Sequence, residues 1–258
     1  MIKVENVEVM GWMAAIRGMR NPMNSWQKSD SRWFFGEAPS EEYGFVNLGE
    51  DCAFYIGPND QALMKKLRNA GTDHRKFMRM INVCLDITAP LYWWKEFDTY
   101  KVGTTANSCS TMHKIADKEF TLEDFSYEHL LSFTSDGDER KIPFVNVDPN
   151  DECGNMFSPK GVLECIIIPI LNRCRDRFLE SKDKKYWWQM IQLLPSSYNQ
   201  KRTVLLNYEV LANMYKSRKD HKLDEWRALC SWMRELLPYS ELITGEFKEE
   251  TNESQESH

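Results

Sequence analysis

Apolar and polar positions alternate at the start of the chain: Ile2, Val4, Val7 and Val9 are separated by Lys3, Glu5, Asn6 and Glu8. A period near two predicts a half-buried strand. Asn59 and Asp60 then open a helical pattern, with Leu63, Met64 and Leu67 facing inward and Gly71 as its stop. Residues 76–85 (KFMRMINVCL) are rich in Met, Ile, Val and Phe. They predict a central strand with Phe77, Arg79, Ile81 and Val83 on one face. Asp, Gly, Asn and Pro fill residues 135–159, which read as a long surface connection, either a lid or an ordinary excursion.

Beyond that segment the spacing becomes helical. Ser158-Pro159 is a helix start with Pro in the first turn, followed by Val162, Ile166, Ile170 and Phe178 at helical intervals. Pro169 falls inside that pattern and is expected to kink or split the helix, because it lacks an N–H and crowds the preceding turn. Further helices are predicted over 184–194, ending at Pro195, over 204–218, and over 222–237. The last carries Leu223, Trp226, Cys230, Met233 and Leu237 as an apolar stripe.

The chain has 258 residues, of which 42% are hydrophobic and 12% aromatic, so a sizeable core is available. Its 33 Lys+Arg against 39 Asp+Glu leave a net charge of −6. That balance argues against a nucleic-acid scaffold, which needs a basic surface, while leaving room for a locally basic pocket. No apolar run reaches the roughly 18 residues of a spanning helix, so no membrane partner is expected. The opening MIKVENVEVM lacks the apolar centre of a signal peptide. Seven cysteines with no C-x-x-C pair suggest reduced, mostly buried thiols in a cytoplasmic protein, and no metal site is expected. From Gly245 the chain is polar and acidic, which predicts a disordered tail over 245–258 behind a single domain over 1–244.

Two segments carry candidate chemistry. Asn207, Leu211, Met214 and Arg218 share one face of the predicted 204–218 helix, so a mostly apolar stripe opens with an amide and closes with a guanidinium. Such an arginine either complements the helix macrodipole or offers its planar fork to a carboxylate or a ligand's oxygens. His221 follows one turn on. The second segment, 101–113, packs Thr104, Thr105, Asn107, Ser108, Cys109, Ser110 and Thr111 around Gly103, next to Lys101. It reads either as a helix start capped by Ser or Thr, or as a phosphate-gripping backbone; it lacks the spacing of a Walker loop. Tyr92-Trp93-Trp94 and Tyr186-Trp187-Trp188 serve core or interface packing, or stack on a flat heterocycle.

Together these segments resemble the flavin-dependent thymidylate synthases of the ThyX type. The clearer match runs from Leu194-Pro195 through Asn207, Asn213, Arg218 and His221 to Glu225-Trp226-Arg227, with one residue deleted near His221. The family's other signature, Arg-His-Arg followed by Ser-x-Arg-Tyr, overlays Tyr100-Lys101-Val102 and Ser110-Thr111-Met112-His113. Asn107 and Ser110 then match, while every arginine of that signature is absent. Glu209 stands where the family commonly has a flavin-binding arginine.

The resemblance implies an α+β fold, with a central, mostly antiparallel sheet, long helices and a helical C-terminal half. It implies FAD as cofactor, with reduced nicotinamide and methylenetetrahydrofolate as co-substrates, and one-carbon transfer to C5 of deoxyuridine monophosphate (dUMP). Arg218 takes the catalytic and pyrimidine-contacting role. Lys101, Asn107, Ser108, Cys109 and Ser110 become substrate-binding, while Tyr100, Asn207, Asn213 and His221 become cofactor-binding. Replacement cations for the lost arginines are Arg17, Arg20, Lys95, Lys101 and Lys114. A homotetramer is implied. Two alternatives stay open: a related pyrimidine hydroxymethylase, and a non-catalytic nucleotide-binding or assembly protein.

Overall fold

The computed structural model describes residues 2–35, 45–47, 52–133, 142–146 and 156–247. In chain order the elements are β1 (Lys3–Met10), α1 (Trp12–Arg20), β2 (Arg32–Phe35), β3 (Phe45–Asn47), β4 (Cys52–Tyr55), α2 (Pro58–Asn69), β5 (Asn82–Pro90), α3 (Leu91–Phe97), β6 (Thr105–Ser108) and α4 (Thr111–Lys114). There follow β7 (Val145–Asn146), β8 (Met156–Phe157), α5 (Pro159–Val162), α6 (Ile168–Ser181), α7 (Lys184–Leu193), β9 (Asn199–Asn207), α8 (Tyr208–Arg218), α9 (Asp224–Leu236) and α10 (Glu241–Thr244). The central antiparallel sheet has the order β1-β5-β9-β6. Smaller antiparallel sheets join β2-β4-β3 and β7-β8. No helix among the described residues is long and apolar enough to cross a membrane.

The chain divides into two compact units. One comprises Met1–Lys3, Thr88–Thr99 and Asn107–Arg202; the other comprises Val4–Ile87, Tyr100–Ala106 and Thr203–His258. In the first, Ile115, Phe120, Phe125, Leu163, Leu171 and Met190 form the apolar centre, with α6 packed on α7. Trp93, Trp94 and Phe97 are also buried here; Trp94 meets Trp93 and Phe97 edge-on at 4.9 and 5.1 Å, and Trp93 and Phe97 are tilted at 5.2 Å. Packing is therefore the use of the 92–94 aromatic run. Trp187 donates its indole N–H to the Met112 carbonyl at 3.1 Å, while Trp188 stays exposed.

In the second unit, α1 buries Trp12, Ala15, Ile16 and Met19, the inner stripe of an amphipathic helix. Gly11 begins it at φ +98°, and a Cβ there would overlap the Met80 carbonyl oxygen, so both backbone and space require glycine. Trp12 meets Tyr208 edge-on at 5.3 Å, and the Tyr208 hydroxyl donates to the Pro238 carbonyl at 2.5 Å. The apolar stripe of α9 is buried through Trp226, Leu229, Cys230 and Met233, as its spacing predicts.

Several expectations change. β1 does not alternate cleanly, because Asn6 takes a left-handed conformation (φ +51°) and breaks the period. The predicted strand over 76–85 starts late: Arg75–Met80 is a 3-10 helix, and the buried alternation is Ile81, Val83, Leu85 and Ile87. Residues 204–207 are strand rather than helix; β9 runs into α8 at Asn207, so the C-terminal half is interrupted by a central strand. Pro169 falls where the α-helical pattern is split: α5 ends at Val162, and α6 begins at Ile168 with Pro169 in its first turn. Leu163–Ile167 widens into a π-helical stretch just before it, which relieves the clash at the i−4 carbonyl.

The thiols are not mostly buried: of the five cysteines whose side chains are described, Cys109 and Cys165 are exposed, Cys84 and Cys174 intermediate, and Cys230 buried. None of these five is in a disulfide. Glu246 and Phe247, at the start of the expected tail, contact the Tyr215 hydroxyl and the Lys65 ammonium. Residues 248–258 and most of the 135–159 connection lie outside the described residues.

Candidate functional site

The turn from β9 into α8 sets one end of the candidate site. Asn207 leaves the strand with extended backbone, and its side-chain oxygen accepts the Val210 N–H at 3.1 Å, an N-cap for α8. Gly103 approaches this cap closely. At φ +76°, a Cβ there would sit 2.8 Å from Asn207 Nδ2 and 3.1 Å from Val210 Cγ2. The Tyr208 N–H donates to the Ile81 carbonyl, tying α8 to the chain just before β5. α8 spans eleven residues and ends at Arg218.

Arg218 is half-buried, and three aromatic rings hold it. Its Nε donates to the Tyr100 hydroxyl at 3.0 Å. Its guanidinium carbon lies 4.8 Å from the Trp226 ring centroid and 5.7 Å from that of Tyr100. Its Nη1 lies 3.0 Å from His221 Nε2. The Leu223 N–H meets the other ring nitrogen, His221 Nδ1, at 3.2 Å. A neutral imidazole has one acceptor nitrogen, so the tautomer decides which of these two contacts is a full hydrogen bond. Arg227 secures the turn below by donating to the His221 and Lys222 carbonyls at 2.6 and 3.1 Å. The arrangement fixes a planar cation against an aromatic floor, which suits recognition of a flat, oxygen-bearing ring.

A second cluster lies on the opening turns of α8. The nearly buried carboxylate of Glu209 accepts from Arg75 Nε at 3.3 Å and from both Nε and Nη2 of Arg79. Arg75 Nη2 also donates to Asn213 Oδ1 at 3.1 Å. Hydrogen bonding to Glu209, reinforced by its charge, holds the Arg79 guanidinium above its ordinary range. Burial, and then the charge of Arg75, pushes Arg68 the other way. Nothing in the local pattern pairs Glu209 with these arginines: alternation over 76–85 puts Arg79 on a strand face, whereas a 3-10 helix brings Arg75 and Arg79 to one carboxylate.

The second unit therefore gathers Tyr100, Arg218 and His221 around one guanidinium, places Asn207 at the cap of the same helix, and puts Asn213 with Arg75. Lys101 is exposed beside Tyr100 in sequence. Asn107, Ser108, Cys109 and Ser110 belong to the first unit. There Asn107 and Ser108 end β6, and the Cys109 N–H donates to the Lys201 carbonyl at 3.0 Å. Gln200 Nε2 donates to the Cys109 carbonyl at 3.0 Å, and Ser110 caps the short α4 while its hydroxyl lies 2.6 Å from His113 Nδ1. The capped-helix reading of this segment thus describes Ser110, and the Cys109 amide is committed to the backbone.

Two of the proposed replacement cations are occupied. Arg20 is buried against Asp60 at 2.6 Å, and Lys114 pairs with Asp117 at 2.8 Å. Arg17 and Lys95 are exposed.

No protein-family profile and no curated protein matches the sequence. Solved structures do match in fold. A ThyX thymidylate synthase from Helicobacter pylori, with FAD and dUMP, superimposes at a TM-score of 0.59 with 17% identity, covering 95% of this chain and 98% of that one. A second structure of ThyX from the same organism, also with FAD and dUMP, gives 0.58 and 15%, covering 95% and 100%. The UMP/dUMP methylase PolB from Streptomyces cacaoi, bound with 5-Br dUMP, gives 0.53 and 13%, covering 91% and 88%. The fold of this chain is ThyX-like.

Proposed function

We propose, from the premise of a ThyX-like fold, that this protein modifies a pyrimidine nucleotide with the help of a flavin, transferring a one-carbon unit to C5 of dUMP. The observation that carries the reading is the fixed Arg218 guanidinium, held by Tyr100, Trp226 and His221 at the position the family resemblance gives to a pyrimidine contact. The matched structures hold FAD and dUMP, or 5-Br dUMP, in their own sites.

The donor set fits both groups. Arg218 offers a planar fork to a pyrimidine carbonyl, and a positive charge there would favour electron density on that oxygen as the ring is activated for bond formation from C5. Tyr100 and Trp226 hold that fork in one orientation, so little ordering is left to occur when the nucleotide binds. Asn213, with the two guanidiniums beside it, fits a phosphate-bearing cofactor through its surplus of N–H donors. A bound reduced flavin supplies the hydride; reduced nicotinamide and methylenetetrahydrofolate are the co-substrates this reading requires. Asn207 contributes through the cap that fixes the start of α8. Assembly as a homotetramer belongs to the same reading.

Replacing Arg218 by Ala tests it. dUMP affinity, followed by calorimetry, should fall by about tenfold or more, the loss expected for a charge-assisted contact. The melting temperature should change little. Unchanged affinity in a folded variant would sink the assignment.

A non-catalytic nucleotide-binding protein is the second reading. It is favoured by the arginine-free segment 100–113 and by the commitment of the Cys109 amide to Lys201. Mass spectrometry of dUMP incubated with the protein, FAD, a reductant and methylenetetrahydrofolate separates the cases. A methyl product supports synthesis, a hydroxymethyl product the related hydroxymethylase, and unchanged dUMP the non-catalytic protein.

A further inference from the structure

We propose that Gln200 and Arg202 are positioning residues of the nucleotide segment, holding the turn over Cys109–Thr111 in the shape in which it meets dUMP. The proposal rests on the functional reading above, which gives Asn107, Ser108, Cys109 and Ser110 to the substrate. All of the residues involved belong to the first unit.

Gln200 and Arg202 stand two apart on β9, so their side chains leave the same face of the strand. Arg202 is fixed on three sides. Its guanidinium carbon lies 4.2 Å from the Trp94 ring centroid, its Nη1 donates to Asp98 at 2.7 Å, and its Nε donates to Gln200 Oε1 at 2.9 Å. The Trp94 indole N–H donates in turn to the Gln200 carbonyl at 2.9 Å, which ties the ring to the strand.

The Arg202 contact fixes which way the Gln200 amide faces. With Oε1 taken by the Arg202 N–H, Nε2 points at the turn, where it donates to the Cys109 carbonyl at 3.0 Å and to the Thr111 hydroxyl at 3.1 Å. A flipped amide would set donor against donor at Arg202 and acceptor against acceptor at Cys109. Both N–H groups of one amide are thus spent on the two residues that flank Ser110. The Cys109 N–H, donating to the Lys201 carbonyl at 3.0 Å, holds the turn from its backbone side.

Burial separates the anchor from what it carries. The Arg202 side chain is 15% exposed, whereas Cys109 is exposed. Two apolar residues at 200 and 202 could also cover Trp94. They could not grip a carbonyl and a hydroxyl that lie 91 and 89 positions earlier in the chain. A turn ordered in advance loses little freedom when a ligand's oxygens arrive, which matters most in a segment without arginines.

The test is Gln200→Glu in the full chain, read by dUMP calorimetry, by hydrogen exchange of the peptide covering 105–114, and by melting temperature. A carboxylate keeps the size and the Arg202 contact but has no N–H to give the turn. Exchange over 105–114 should quicken and dUMP affinity should fall by about fivefold or more, the loss expected for a missing hydrogen bond, with the melting temperature nearly unchanged. A lower melting temperature with dUMP affinity held would mark a merely structural role and overturn the proposal. Unchanged exchange would overturn it too, whatever the nucleotide does. Should the wild type bind no dUMP, the functional reading falls and the nucleotide role falls with it, while exchange reports the turn independently. Arg202→Met serves if Gln200→Glu does not fold. Methionine keeps Trp94 covered, and Asp98, 52% exposed, tolerates the loss of its partner. Gln200 then keeps its donors but loses the contact that orients them, so exchange should quicken and affinity fall by a smaller factor. Wild-type values for both would again overturn the inference.

Discussion

Arg218 Nε donates to the Tyr100 hydroxyl across 3.0 Å, although the two residues stand 118 positions apart in the chain. The contact links the end of α8 to the start of a loop that the sequence singles out for its small hydroxyl residues. It makes the orientation of the Arg218 fork depend on a phenol that composition alone would assign to packing.

Tyr100→Phe removes that acceptor and keeps the ring. The guanidinium retains its place over Trp226 but loses one fixed edge, at a net cost of about 1 kcal/mol. dUMP affinity should fall by about fivefold, with the melting temperature nearly unchanged. A fall as large as that of Arg218→Ala would mean that the phenol itself touches the ligand.

Gly103→Ala strikes the α8 cap from outside. The new methyl group would press on Asn207 Nδ2 and Val210 Cγ2, and φ +76° strains any L side chain. Loss of about 1 kcal/mol or more is expected from strain and a disturbed cap. Urea denaturation measures it, and the companion Asn207→Ala should show a similar loss that is not additive with the first.

Asp60 is fully buried and accepts from Arg20 at 2.6 Å, from the Ser29 and Ser31 hydroxyls at 2.7 and 2.6 Å, and from two backbone amides at 3.2 Å. Burial opposes its charge, but Ser31, Ser29 and Arg20 together outweigh burial and bring its carboxyl below the ordinary 3.8. A carboxyl with a lowered folded value contributes stability in full above the unfolded value. That contribution is lost as pH falls from 3.8 through the folded value. Asp60→Ala should cost about 3–5 kcal/mol, since it leaves Arg20 buried and unpaired. Asp60→Asn should flatten the acid limb of the stability curve below pH 3.8, read by circular dichroism.

Thiol labelling should sort the cysteines. Cys230 is buried, and burial pushes its thiol up to about 11, so it reacts only on unfolding. Cys109 and Cys165 are exposed and should label in the native protein. Rapid native labelling of Cys230, mapped by peptide mass spectrometry, would contradict the packing of α9.

The sequence by itself determined the elements whose signal is local. The stripe of α9, the stop of α2 near Gly71, the Pro-started α5 and the end of α7 before Pro195 follow from spacing, caps and proline chemistry within a few residues. The face from Asn207 to Arg218 is local in the same sense, since it lies along one helix and its cap, whereas Asn213 enters only through the family resemblance. Tertiary structure decided the rest. Residues 204–207 are apolar enough for helix or strand, and their place in the central sheet selects strand. The partners of Glu209 lie 130 and 134 residues away, at a distance no periodicity encodes. Pro169 predicts a split, and the split takes the form of a π-helical stretch over Leu163–Ile167, a local detail that the spacing does not specify. Local patterns fix what each residue does to its own backbone; which charges meet depends on how the chain closes on itself.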